Sequence, residues 1–302
     1  MTDWTEADIP DQTGRTALVT GANTGIGFEA ARALAEHGAR VLLGCRNPDK
    51  AADAQQRIGQ TAPDATVEVI ELDVSSLDSV QQAAEAVRGT TDRLDLLINN
   101  AGIMMTPRWL SDDGYEMQFA TNHLGHFALT GQLLNLVTGT VGSRVVSVSS
   151  NAHKFGKMNF DDLDGEKRYG RTRQYGMTKL ANVLFIRELQ RRLSAADLDT
   201  LALGCHPGGS DTELSRNLPA VLQRLQVVMT PFTQSAQMGA LPTLRAATDP
   251  TAQAGQYYGP GGMGELKGHP VVRETSKAAR SDADAARLWE ISEKRTGVTY
   301  PI

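Results

Sequence analysis

Short apolar runs alternate along this chain with longer segments of helical period, and that alternation leaves few folds open. The runs are Thr16–Val19, Arg40–Leu43, Val67–Leu72, Leu94–Ile98, Arg144–Val148 and Leu201–Cys205. Between them lie Ile26–His37, Asp49–Gly59, Leu77–Arg88, Tyr115–Val137 and Tyr175–Leu193. In the first three of these longer segments small and apolar residues recur at i, i+3 and i+4, with charges on the remaining face, which is the pattern of a helix with one buried side. Strands without polar alternation are buried on both faces. Strand–helix alternation then predicts a parallel sheet with helices on either side, a doubly wound α/β fold of the Rossmann type whose ligands sit at the carboxyl ends of its strands.

Past Cys205 the alternation breaks. Leu214–Met229 and Ser235–Thr248 read as two helices separated by Thr230-Pro231, and the first is the best candidate for a lid over a substrate site. A short β-like stretch, Gln256–Tyr258, leads into the Gly/Pro-rich loop Gly259–Gly264, and a last helix covers about Ser281–Glu293. No repeat, low-complexity tract or linker divides the chain. Residues 1–302 are therefore expected to form a single domain, with 14–212 as a cofactor-binding core, about 213–250 as a small helical substrate lid and 251–302 as its C-terminal completion.

The net charge of −5, with no basic run interleaved with aromatics, argues against nucleic acid as a partner. Met1 to Thr13 is acidic and polar, neither a secretory signal nor a membrane anchor, and no stretch approaches the ~20 apolar residues that span a bilayer. The two cysteines, Cys45 and Cys205, each end an apolar run. Two buried thiols in a chain of this size fit a reducing compartment, so the cytoplasm is the expected location.

Chemistry concentrates at the ends of the predicted strands. The first runs into Thr20-Gly21-Ala22-Asn23-Thr24-Gly25-Ile26-Gly27 and a helix follows at once. Glycines allow a tight turn and close backbone approach, and the helix N-terminus offers free N–H groups and a favourable dipole to a pyrophosphate. The spacing is G-x-x-x-G-x-G; by itself it is equally a plain glycine turn, and its place after the first strand of a βαβ unit favours a phosphate cradle. The second strand ends in Gly44-Cys45-Arg46-Asn47, with a cysteine where an acid would bind the ribose hydroxyls of NAD. Arg46 beside it suits the 2′-phosphate of NADP, unless it is simply a solvated loop residue. Asp73, with Val74 next to it, ends the third strand; it either accepts from an adenine amino group or is a turn residue before Ser75-Ser76. Asn99-Asn100-Ala101-Gly102 ends the fourth and suits backbone contact with a ribose.

Tyr175 and Lys179 open a helix at i and i+4 and so share a face. A lysine ammonium near a phenol favours the phenolate and lowers its pKa, which is what a tyrosine needs to trade protons with a carbonyl oxygen near neutral pH. The fifth strand ends in Ser149-Ser150, of which only one normally points into the site, since successive strand residues face opposite ways. Asn122 lies within a helical segment, either as the binder of a water that relays protons from Lys179 or as a buried amide satisfying backbone. His123 and His126 have no third ligand and read as packing or interface residues. Trp109, Met104 and Met105 either line an apolar pocket or pack in the core.

Together these motifs resemble the classical short-chain dehydrogenase/reductase family, over nearly the whole chain from Gly14 to about Pro301. The combination of Thr20-Gly21-x-x-x-Gly25-x-Gly27, Asn99-Asn100-Ala101-Gly102, Asn122, Ser149-Ser150, Tyr175-x-x-x-Lys179 and Pro207-Gly208 is more specific than any piece of it. The resemblance implies Tyr175 as acid–base, Lys179 as its partner and ribose ligand, Asn122 as a proton-relay amide and Ser150 as the catalytic serine, with Ser149 as fallback. It further implies that Pro207-Gly208 with Thr212 holds the nicotinamide carboxamide. Finer features resemble the retinol dehydrogenase-like branch: Cys45-Arg46, Asn122-His123-Leu124-Gly125-His126-Phe127, the long step from Ser150 to Tyr175, and Leu288-Trp289-Glu290. The implied protein is an NADP(H)-dependent oxidoreductase acting on a small apolar alcohol or carbonyl, the alternatives being an NAD-dependent enzyme or a C=C reductase of the same fold, or a non-catalytic nicotinamide-binding sensor. In that family the helices at 115–137 and 175–193 pair between subunits, so a homodimer or homotetramer is expected.

Overall fold

The computed structural model describes residues 3–209 and 234–302. Thr212 and the expected lid Leu214–Met229 lie outside the described residues. The described strands are β1 (Thr16–Thr20), β2 (Arg40–Cys45), β3 (Val67–Glu71), β4 (Leu96–Asn99), β5 (Arg144–Val148), β6 (Leu201–Cys205), β7 (Tyr257–Pro260) and β8 (Pro270–Val272). They form one sheet in the order β3-β2-β1-β4-β5-β6-β7-β8, parallel throughout except for β8, which pairs antiparallel with β7. The order reverses between β1 and β4, and the crevice at such a switch point is where a doubly wound sheet binds its ligand.

Helices α1 (Gly25–Glu36), α2 (Pro48–Thr61), α3 (Leu77–Thr90), α4 (Gly125–Thr138), α5 (Arg171–Ala195), α6 (Ala236–Thr248) and α7 (Asp282–Thr296) cover both faces. Successive strand residues feed opposite layers. Ala17, Val19, Val41 and Leu43 pack towards α1, α2 and α6, whereas Leu18 and Leu42 pack towards α3, α4 and the end of α5. Both sides of the central strands are thus fully buried, which is why their sequences lack alternation.

Four expectations change. First, the helix at 236–248 belongs to no lid: Ala240, Leu241, Leu244, Ala246 and Ala247 are buried in the sheet's own core, making α6 the ordinary crossover between β6 and parallel β7. The alternation therefore continues past Cys205. Second, β7 runs on through Gly259-Pro260, into the expected loop, and turns back as the unforeseen edge strand β8. Third, the single helix expected over 115–137 is interrupted by a π-helical turn, Ala120–Leu124, in which the Gly125 N–H reaches back to the Ala120 carbonyl. Fourth, α5 has no free face for a second subunit over residues 174–186, all of which are buried. The cover is the chain's own α7, whose Leu288 packs with Met177, Leu180 and Leu184. Its Trp289 ring stacks on Phe185 at 5.9 Å and meets Phe127 edge-on at 5.1 Å. Residues 174–186 of α5 are therefore not available for the expected pairing with a second subunit. Among the described residues no helix is long and apolar enough to cross a membrane.

Candidate active site

The cradle follows from β1 and α1. Gly21 and Gly25 take left-handed backbone (φ 67° and 58°), and a Cβ on Gly27 would lie 2.4 Å from both the Gly21 carbonyl oxygen and Asn100 Nδ2. Only glycine fits there. Thr20 is the hub: its Oγ1 accepts from the backbone N–H of Asn100 and of Ala101, both at 2.9 Å. With those lone pairs engaged, its own proton goes to His126 Nε2 at 2.9 Å, which leaves Nδ1–H to donate to the Asn122 carbonyl at 3.2 Å. His126 is therefore a neutral strut between cradle and π turn, and burial holds its pKa down to about 4. His123, likewise buried and held down to about 3, bonds Ser292. Both histidines pack within the chain.

The N-terminus of α1 differs from four other helix starts in its capping. Asn47, Ser76, Ser235 and Ser281 cap α2, α3, α6 and α7 with their side chains, but Thr24 makes no cap hydrogen bond on α1, whose first turn carries no acidic residue. The leading N–H groups of Gly25, Ile26 and Gly27 thus lack a side-chain cap at the positive end of the helix dipole. Cys45 lies beneath, its sulfur accepting from the N–H groups of Ala22 and Asn23, with burial pushing its thiol up to about 11. Arg46 is exposed at the rim and pairs with Asp73 at 3.5 Å. Asp73 also accepts from Ser75 N and Oγ, the turn geometry that was the plain alternative for it. Val74 is buried, and its carbonyl oxygen would sit 1.8 Å from a Cβ on Gly125, which fixes that position as glycine.

Across the switch point, β5 and α5 carry the second half. Ser149 turns away from the crevice: its hydroxyl donates to the Lys179 carbonyl at 2.6 Å. Ser150 is the hydrogen-bond partner of the Tyr175 phenol. Its Oγ also accepts from Ala152 N–H at 3.2 Å, so a lone pair and the hydroxyl proton remain for Tyr175 and one further partner. Lys179 Nζ lies 5.9 Å from the centre of the Tyr175 ring and donates to the Val148 carbonyl at 3.1 Å, a carbonyl shared with Asn182 Nδ2. Burial lowers the Lys179 pKa to about 8. Tyr175 departs from expectation: burial raises its pKa and the Ser150 hydrogen bond opposes the rise, while Lys179 spends a proton on Val148 instead of the phenol. The chain's own groups thus keep Tyr175 protonated.

Asn122 sits in the π turn. Its Oδ1 accepts from Ile103 N–H at 2.8 Å, and its Nδ2 donates to Ile103 O at 3.0 Å and Thr178 Oγ1 at 2.9 Å. A Cβ on Gly102 would come within 3.0 Å of Asn122 Oδ1 and 3.4 Å of Lys179 Nζ, so Asn122, Lys179 and Gly102 converge. Asn100 props the cradle through Nδ2 to Thr20 O at 2.8 Å. Gly208 is left-handed (φ 72°), and Pro207 O and Gly209 O are both held by Gln234. Trp109 is half exposed and Met105 takes a positive φ (53°) while its N–H donates to Gln118. Thr178 and Asn182 were missed from the sequence. With Tyr175 and Lys179 they form a polar stripe at i, i+3, i+4 and i+7 within the otherwise apolar stretch 175–186, a pattern present in the sequence.

Residues 15–222 match the family model for short chain dehydrogenases. Mouse retinol dehydrogenase 12 is 40% identical over 300 residues, covering 98% of this chain and 90% of that protein. A crystal structure of an uncharacterized protein from Mycobacterium paratuberculosis superposes with a TM-score of 0.83 at 39% identity, over the full length of both chains. RhlG of Pseudomonas aeruginosa, solved as an NADP active-site complex, shares the fold at 24% identity and a TM-score of 0.66, covering 81% of this chain and 94% of that one.

Proposed function

The chain belongs to the short chain dehydrogenase family, and from that premise we propose that it is an NADP(H)-dependent oxidoreductase in which Tyr175 exchanges a proton with the oxygen of an apolar alcohol, ketone or aldehyde. The observation that carries this is the Ser150–Tyr175 hydrogen-bonded pair at the carboxyl end of β5, with Lys179 beside it and an uncapped helix N-terminus across the switch point.

The protein's own groups divide the work. The N–H groups of Gly25, Ile26 and Gly27 would hold the pyrophosphate, and Gly102 with Lys179 would hold the ribose. A bound nicotinamide supplies or accepts the hydride. Ser150 donates to the substrate oxygen, placing it against the phenol, and the two hydroxyls stabilise the charge that develops there. Tyr175 holds its proton until that charge appears. Lys179 would return the proton to Tyr175 through a water held at Asn122, whose amide is fixed by Ile103 and Thr178. An exposed ion pair is worth ~1 kcal/mol or less, so Arg46 leaves Asp73 readily for a 2′-phosphate. The apolar substrate is supported by the likeness to retinol dehydrogenases and by Met105, whose sulfur lies 3.9 Å from Thr172 Oγ1 in the helical turn before Tyr175.

The test is titration of the purified protein with NADPH and NADH, followed by a panel of ketones, aldehydes and alcohols at the nicotinamide absorbance. NADPH is expected to bind more tightly and to be consumed with an apolar carbonyl. Arg46→Ala should cost about tenfold in NADPH affinity, as loss of a charge-assisted contact does, and leave NADH unchanged. Folded protein that binds neither cofactor would overturn the reading.

A further inference from the structure

We propose that His153 is a positioning residue that sets the Ser150 hydroxyl against Tyr175. The proposal rests on the reading of Ser150 and Tyr175 as the reacting pair and adds what holds them in register.

Ser150 stands where β5 ends and a 3-10 turn, Asn151–Lys154, begins. Its backbone is extended (φ −157°, ψ 158°) and its Oγ accepts from the Ala152 N–H at 3.2 Å. Two further contacts set the peptide and the turn that carry this side chain. The first is His153, which is buried and whose Nδ1 lies 2.7 Å from the Ser150 carbonyl oxygen. The backbone N–H of Ser276 points at Nε2 from 3.4 Å. An N–H facing Nε2 makes that nitrogen the acceptor, so the ring proton sits on Nδ1 and is donated to Ser150. Burial keeps the imidazole neutral by lowering its pKa. The ring is itself wedged: Tyr257 meets it edge-on at 5.3 Å, stacks on His206 at 5.7 Å, and hydrogen-bonds Ser149.

The second contact registers the turn on the helix that bears Tyr175. A Cβ on Gly156 would lie 2.3 Å from the carbonyl oxygen of Gly176, the residue after Tyr175, and one on Gly176 would lie 2.7 Å from the Phe155 ring. The turn and α5 thus meet glycine to glycine, and His153 ties Ser150 to that docked turn. The same Ser150 carbonyl also accepts from the His153 backbone N–H at 3.0 Å, so removing the Nδ1 donor leaves it on that single, longer hydrogen bond while the docking remains.

Two variants separate this role from simple packing. His153→Leu fills similar volume without a donor; His153→Asn places an amide N–H where Nδ1 was but discards the ring. His153→Leu is expected to lower kcat on the order of 10²-fold, the scale of a misplaced reacting group, with NADPH affinity and substrate KM unchanged. His153→Asn should recover most of that loss despite its poorer packing. Should the Leu protein fail to fold, His153→Gln, whose amide reaches the Nε2 position instead, takes its place. A wild-type kcat in the donor-less variant, or an Asn variant no better than it, would overturn the proposal. Crystal structures of the variants read Ser150 directly: out of reach of Tyr175 in the Leu protein, restored in the Asn protein. An undisplaced Ser150 in the Leu protein would also overturn it. That arm needs no turnover, so a wild-type protein inert towards every carbonyl would remove the functional reading and still leave His153 decided.

Discussion

The two sides of the switch point are built from different materials. Around β1 and α1 the working groups are backbone N–H, set by glycines and left without a side-chain cap on the helix. Around β5 and α5 they are side chains, and nearly every one already has a partner: Asn122 on Ile103 and Thr178, Lys179 and Asn182 on Val148, Ser149 on Lys179. The first side is open to an anion. The second is preorganised, and its hydrogen bonds are formed before any ligand arrives. Thr20 and His126 couple the two, since one hydroxyl and one imidazole link the loop after β4, the end of β1 and the π turn.

That contrast can be broken from either side. The largest effect is expected from Tyr175→Phe, which should reduce turnover by about 10³-fold, within the range of general acid–base catalysis, and spare NADPH affinity. Stopped-flow or steady-state rates beside a binding titration check both halves of the statement. Gly27→Ala does the reverse: a methyl 2.4 Å from a backbone oxygen must displace the cradle, at a cost of about 1–3 kcal/mol in stability and most of the cofactor affinity. Calorimetry with and without NADPH reads this.

Acid should act mainly on the preorganised side. His123 and His126 are held at about 3 and about 4 in the fold, whereas an unfolded histidine titrates near 6.5. Below 6.5 the unfolded chain binds more protons than the folded one, so stability present at neutral pH is lost as the pH falls. Each contributes about 2 kcal/mol of loss by pH 5. Chemical denaturation at pH 7 and pH 5 measures it, and His126→Asn should flatten the dependence. The smallest effect belongs to Thr178→Val. Removing a single acceptor from Asn122 should cost about 1 kcal/mol of stability and a few-fold in kcat, with NADPH affinity constant.

The same division explains what the sequence disclosed. Periodicity located β1 to β6 and the flanking helices, because double-sided burial forces unbroken apolar runs and a one-sided helix forces a 3.6-residue period. The cradle was legible because positive φ and close approach admit only glycine. The partners of each candidate site group were not legible. That Ser149 faces α5 and Ser150 faces Tyr175 depends on how the sheet meets the helix, and that His126 joins Thr20 depends on residues over a hundred positions apart.

By itself, then, the sequence determined the order of strands and helices, the backbone of the glycine loop after β1 and the residue types at the proposed reacting site, all of which follow from local sterics and burial. Only the tertiary structure decided that α6 is core and not lid, that α7 covers α5 where a subunit was expected, and that burial raises the Tyr175 phenol while Lys179 turns to Val148. Those outcomes depend on which surfaces meet and how much water they exclude, and local sequence pattern sets neither.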